Sequence, residues 1–139
     1  MNDKERASQR KRLRTVRDRW HHYLGLQPWE ITYVYTDGDF EVDGTPAPGT
    51  LATTQVQGKY LRATIDWNLR GVEKTSDSDL EFALVHELMH VMVNDLRRYR
   101  SGETERDALL DGVERFDEER TCTALARAFI NTRDRARTA

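Results

Sequence analysis

Leu80-Glu81-Phe82-Ala83-Leu84-Val85-His86-Glu87-Leu88-Met89-His90-Val91-Met92-Val93 is the stretch that decides the fold. Ten of its fourteen positions are apolar, and the exceptions are Glu81, His86, Glu87 and His90. A helix this apolar packs on more than one side, so polar groups within it need partners or a solvent-lined cleft. At about 100° per residue, His86 and His90 project about 40° apart on one face, so two imidazoles can grip one ion. Glu87 stands about 100° from His86, beside such an ion rather than on it, where a base takes a proton from water at a metal. Ser78-Asp79-Leu80-Glu81 has the form of a capping box. The helix is expected to run from there to about Asn94.

Upstream, Leu13, Val16, Trp20, Tyr23 and Leu24 recur at spacings of three and four among charged residues. This predicts a basic amphipathic helix over about residues 3–24, stopped by Gly25, with Arg12, Arg14, Arg17 and Arg19 mostly in water. Trp29, Ile31, Tyr33 and Tyr35 alternate along a strand from about 29 to 36, and a short strand is expected near Phe40 and Val42. Residues 43–49 read as loop. Residues 50–57 and 60–67 flank Gly58-Lys59 as a hairpin with a two-residue turn, and Leu61, Ala63, Ile65 and Trp67 alternate cleanly. Downstream, 94–111 is polar enough to read as a loop, a last helix is expected over about 112–131, and 132–139 forms a short basic tail. The whole chain, 1–139, reads as a single α+β domain with a small twisted sheet of three or four strands.

Two histidines leave a catalytic zinc site short of its usual three protein ligands. His21 and His22 are the other histidines, and both lie near the end of the first helix, where an imidazolium suits the helix dipole. The last helix offers Glu114, Glu118 and Glu119. Its apolar stripe is Cys122, Leu125, Ala126, Phe129 and Ile130; Glu118 and Glu119 flank it on opposite sides, and periodicity does not choose between them.

Composition narrows the classes further. A single cysteine, Cys122, excludes an internal disulfide and any cysteine-only metal site. Mean hydropathy is -0.80, and no apolar run approaches the roughly eighteen residues that cross a bilayer. The charged stretch from Met1 to Arg19 lacks the apolar core of a secretory signal, which predicts a cytoplasmic protein. The formal net charge of -2 divides into +5 over residues 1–19, -10 over 20–126 and +3 over 127–139. Basic ends permit nucleic-acid contact, but terminal charge runs are more often solvated faces.

Leu84-Val85-His86-Glu87-Leu88-Met89-His90-Val91-Met92, followed by Glu119-Arg120-Thr121-Cys122-Thr123-Ala124-Leu125-Ala126, resembles the minimal zincin metallopeptidases of phage and bacterial genomes, related to the ImmA/IrrE type. Trp29-Glu30-Ile31 and Tyr60-Leu61-Arg62-Ala63-Thr64-Ile65 resemble strands of the same group. Four residues after Glu119 this chain carries Thr123, where that group usually has Asn. The resemblance implies a zincin-like fold with Zn²⁺ on His86, His90 and Glu119, Glu87 as general base, and a peptide or protein substrate in a bacterial or phage-infected cytoplasm. Tyr99, His21, His22 or an arginine of the 97–100 loop is expected to steady the oxyanion. Residues 61–67 are expected to form the sheet edge on which a peptide lies. Two rival readings are a SprT-like DNA-associated protease, against which stands the lack of a cysteine zinc ribbon, and a non-enzymatic domain with structural zinc. Glu87 speaks against the second, because a structural site has no use for a base.

Overall fold

In a computed structural model, the chain is described over residues 1–42, 44–98 and 105–138, with side chains at all of these except 42, 95–98 and 105–116. The architecture is α+β, with four α-helices among the described residues and a small mixed sheet of three strands. Helix α1 (Asp3–Tyr23) leads into β1 (Glu30–Thr36), then a two-stranded ribbon of β2 (Phe40–Val42) and β3 (Thr45–Ala47). Next come β4 (Ala52–Gln57), β5 (Arg62–Asn68) and the short α2 (Leu69–Lys74), then α3 (Asp77–Arg98) and α4 (Glu105–Thr138).

The end of α1 follows from one glycine. Gly25 takes φ +68°, and the amides of Gly25 and Leu26 donate to the carbonyls of His22 (3.1 Å) and His21 (3.0 Å). These two bonds are the Schellman pairing, which a residue without Cβ accepts at little cost. The start of α3 differs from the expected capping box. Ser76 is the cap: its Oγ accepts the amide of Asp79 (3.2 Å) and its carbonyl accepts that of Leu80 (2.9 Å). Ser78 lies inside the first turn, and Glu81 is drawn away to other partners.

The sheet order is β1-β5-β4, with β1 parallel and β4 antiparallel to β5. Residues 61–67 are therefore not an edge, because β5 is paired on both sides. The β4–β5 turn has four residues rather than two, since Gln57 pairs with Arg62. A 3-10 turn over Gly58–Tyr60 is closed by Leu61 in the left-handed region at φ +50°. The stretch 43–49 is not all loop either, because Thr45–Ala47 pairs with β2.

Ala63, Ile65 and Trp67 point to one face of the sheet and are buried, with Ile31, Tyr33 and Tyr35 beside them on β1. Helices α1 and α3 cover that face, through Leu13 and Trp20 on one and Leu80, Leu84, Val85 and Leu88 on the other. Helix α4 packs on α3 through Cys122 and Ala126. The expected loop over 94–111 is helical on both flanks, at 94–98 and from Glu105 onward; residues 99–104 lie outside the described residues. The C-terminal segment expected as a tail is helical to Thr138.

The basic face of α1 is partly occupied within the chain: Arg14 and Arg19 stay exposed as expected, while Arg12 and Arg17 are half-buried. Arg12 donates to the carbonyls of Val72 and Thr75 (2.9 Å each) and pairs with Asp77 at 2.6 Å. Arg10 and Arg17 lie over the rings of Tyr35 and Tyr33, and Arg19 reaches Glu81 at 3.2 Å. Arg14 alone of the expected four stays exposed without such a partner.

Glu81 ties three helices together. It accepts from Trp20 Nε1 on α1 (2.8 Å) and is bridged by the Arg133 guanidinium of α4, which also covers the Trp20 ring. Burial pushes its carboxyl up, but hydrogen bonds from Arg133 and Trp20 and the charges of Arg133 and Arg19 outweigh this, so the net shift is downward. A carboxyl held below its unfolded value stabilises the fold above about pH 4.3 and loses that contribution as pH falls through the native pKa. Glu81→Ala is expected to cost about 1–3 kcal/mol at neutral pH, because it orphans a buried indole N–H. Urea unfolding should show the gap between variant and parent closing below about pH 4.

Candidate metal centre

Helix α3 presents His86 and His90 toward α4, which answers with Glu119. His86 Nε2 lies 3.1 Å from Glu119 Oε2, His90 Nε2 lies 3.0 Å from Glu119 Oε1, and the two Nε2 atoms are 3.2 Å apart. Ligand atoms at the corners of a tetrahedral zinc site, with bonds of about 2.0–2.1 Å, stand about 3.3 Å from one another. The donor set therefore has the size of a first-row metal site.

The outer nitrogens show which way the imidazoles are oriented. His90 Nδ1 is 2.8 Å from Glu118 Oε1, and an ionised carboxylate only accepts, so Nδ1 carries the hydrogen and Nε2 offers a lone pair. His86 Nδ1 faces Thr123 Oγ1 at 3.3 Å, which allows the same tautomer. In that tautomer two nitrogen lone pairs and a carboxylate point at one spot, a set of donors that suits a cation.

A second grouping, His90, Glu118 and Cys122, shares His90 but uses its other nitrogen. Its three groups are already gathered on one another, with Glu118 Oε1 and Cys122 Sγ at 2.8 Å and 3.6 Å from His90 Nδ1. Burial pushes the Cys122 thiol up to about 12, with the charges of Glu118, Glu119 and Glu87 adding to the effect.

Glu118 and Glu119 stand differently toward the two histidines. Glu119 reaches both inward nitrogens and its side chain stays 62% exposed, whereas that of Glu118 is 17% exposed and supports His90 from behind. His21 and His22 are absent from the cluster: His21 Nε2 meets the Tyr33 hydroxyl at 2.9 Å, and His22 Nδ1 meets Gln27 at 3.0 Å. Among the expected oxyanion donors, Tyr99 and Arg100 lie outside the described residues, as do the side chains of Arg97 and Arg98; the side chain of Glu114, a candidate ligand, lies outside them too.

Glu87 opens on the same cleft, about 510 Å³ in volume, as His90, Glu118 and Glu119, with Thr50, Ala52, Thr53 and Thr54 along the opposite wall. It is 9% exposed. Burial pushes its carboxyl up, opposed by a hydrogen bond from Thr54 and by the two histidines. Thr54 Oγ1 donates to Glu87 Oε2 at 2.5 Å, and Oε1 has no hydrogen-bond partner among the described residues. Neither Thr54 nor the support from Glu118 carries a signal in the sequence, because one is a strand threonine 33 residues from its partner and the other one of several helix acids.

Strand β4 is the edge bordering this cleft. The amide of Asn68 donates to the carbonyl of Leu51 at 3.0 Å, which sets the phase of the ladder. Thr53, Gln55 and Gln57 then spend their N–H and C=O groups on β5, while Ala52, Thr54 and Val56 turn theirs to the free edge.

No family model matches the chain, and no curated protein or solved structure matches it.

The donor roles separate in a metal titration against a competing chelator. Glu119→Ala is expected to remove nearly all affinity, whereas Glu118→Ala should weaken it by about 10- to 100-fold, the usual cost of losing an outer partner of a ligand histidine. Equal losses would place both carboxylates on the metal.

Proposed function

We propose that the protein is a zinc-dependent metallopeptidase of zincin-like fold, with zinc on His86, His90 and Glu119 and Glu87 as general base. The observation that carries the reading is the convergence of two histidine nitrogens and one carboxylate beside a buried, separately held carboxylate in a cleft walled by a free strand edge. A structural site would need no such second carboxylate. Zinc, when bound, polarises a carbonyl and lowers the pKa of water toward neutrality. Glu87 supplies the rest of the proton chemistry: with Oε2 held by Thr54, Oε1 is the atom that takes a proton from the attacking water and returns it to the leaving amine. Burial favours the neutral carboxyl and so strengthens the carboxylate as the base that takes the proton. An extended peptide pairs with the groups that Ala52, Thr54 and Val56 leave free, as in strand addition to any open sheet edge. The likeness of the two helical segments to minimal zincins points the same way.

The SprT-like alternative gains little from α1. Its arginines are mostly engaged with carbonyls, carboxylates and tyrosine rings of the same chain, which leaves few of them for phosphates.

Metal analysis is expected to find one zinc per chain, with thermal stability falling on chelation. Glu87→Gln should keep the zinc yet lower cleavage of denatured casein by about 10²- to 10⁴-fold. A variant that cleaves like the parent would remove the base from the mechanism. Proline substitution tests the strand edge: Ala52→Pro removes an outward N–H and should leave a folded, zinc-loaded protein that no longer cleaves, whereas Gln55→Pro removes a ladder bond and should not fold. Normal cleavage by Ala52→Pro would mean that the peptide lies elsewhere.

A further inference from the structure

Thr54 stands where two demands meet. Its backbone N–H and C=O face the open edge of β4, and its side chain turns to the inner face of the sheet and donates to Glu87 Oε2 at 2.5 Å. It is opposite Ile65, in the middle of the strand, so both its neighbours on β4 are held to β5. A β-branched side chain in a strand has few χ1 choices, and an ionised carboxylate accepts without donating. The hydroxyl is thus a stiff arm that fixes one oxygen of a buried carboxylate.

We propose that Thr54 is a positioning residue that anchors the Glu87 carboxylate to the very residue whose backbone receives the peptide. One residue then holds the base and the scissile carbonyl in a common register. The inference rests on the peptidase reading above and adds to it a side chain that touches neither metal nor reacting atoms. Glu118 and Thr123 serve the histidines in a similar way, but they act from α4; only Thr54 belongs to the strand along which substrate lies. A threonine placed merely for packing would be replaced without loss by valine, which has nearly the same shape.

The test compares Thr54→Val and Thr54→Ser in the zinc-loaded full chain, with fluorescein-labelled denatured casein as probe. Valine is expected to lower kcat by about 10- to 100-fold, the scale on which a misplaced catalytic group reduces turnover. KM and zinc affinity should stay within about twofold of the parent, since neither peptide binding nor the ligands are touched. Serine keeps the donor and should recover most of the loss. Unchanged turnover in the valine variant, a loss confined to KM, or no recovery by serine would each overturn the proposal. A second measurement works without activity. In metal-free protein, Thr54→Val should lower Tm when Glu87 is present and leave it unchanged or raise it in a Glu87→Leu background, because removing both partners of a buried hydrogen bond leaves nothing orphaned. Additive shifts would show that the two residues are not coupled and overturn the anchoring. Failure of the parent to cleave casein would overturn the peptidase reading and the catalytic half of this inference, while the melts still decide whether Thr54 holds Glu87.

Discussion

Everything at the centre depends on three side chains from two helices being held at one spot. His86 and His90 come from α3 and Glu119 from α4, so the site exists only while the two helices keep one registration. Local helix geometry supplies the histidine pair by itself, since four residues return nearly to the same face. The carboxylate is different: it must be brought from 29 positions beyond His90 and set to within a few tenths of an ångström. A cation bound there would tie α3 to α4, so that metal binding and the packing of the two helices would be two aspects of one equilibrium.

The remainder of the chain acts as the frame for that registration. Glu81 lies five residues before His86, and Arg133 lies fourteen after Glu119, so their ion pair clamps α3 to α4 on one side of the site. Trp20 adds α1 to the same clamp through its indole N–H and through the guanidinium lying on its ring. Between the clamp and the site, α4 packs on α3 through Cys122 and Ala126, which are fully buried and carry no polar group except one thiol. A dry contact of this kind resists sliding because any shift opens voids on both helices. The sheet fixes the other wall of the cleft, with β5 buried at the centre and β4 carrying Thr54 to the base.

What the sequence revealed, and what it did not, follows the range of the interactions involved. The histidine pair and Glu87 were legible because one helix determines their relative directions, and α1 was legible because its stripe and Gly25 are local features. The different places of Glu118 and Glu119 beside the histidines were not, since both flank the apolar stripe and only the position of α3 separates them. Strand order escaped for the same reason: alternation marks Ala63, Ile65 and Trp67 as facing the core but does not say whether β5 has one neighbour or two. The apparent capping box at Ser78 failed because Glu81 has stronger partners than a backbone amide, namely a guanidinium and an indole. The inward turn of Arg12 and Arg17 was not legible either, since carbonyls at the end of α2 and a tyrosine ring on β1 are partners that no helical stripe displays.

An unpaired strand edge is a hazard as well as an opportunity, because it can template pairing with another copy of the same molecule. The free side of β4 is only six residues long and belongs to the wall of a cleft whose other side is formed by α3 and α4. A strand of another copy that approached this edge would have to enter between the sheet and those two helices. Glu118 and Glu119 stand across from it and add negative charge at the entrance. The walls that form the cleft therefore also narrow the approach to an open ladder.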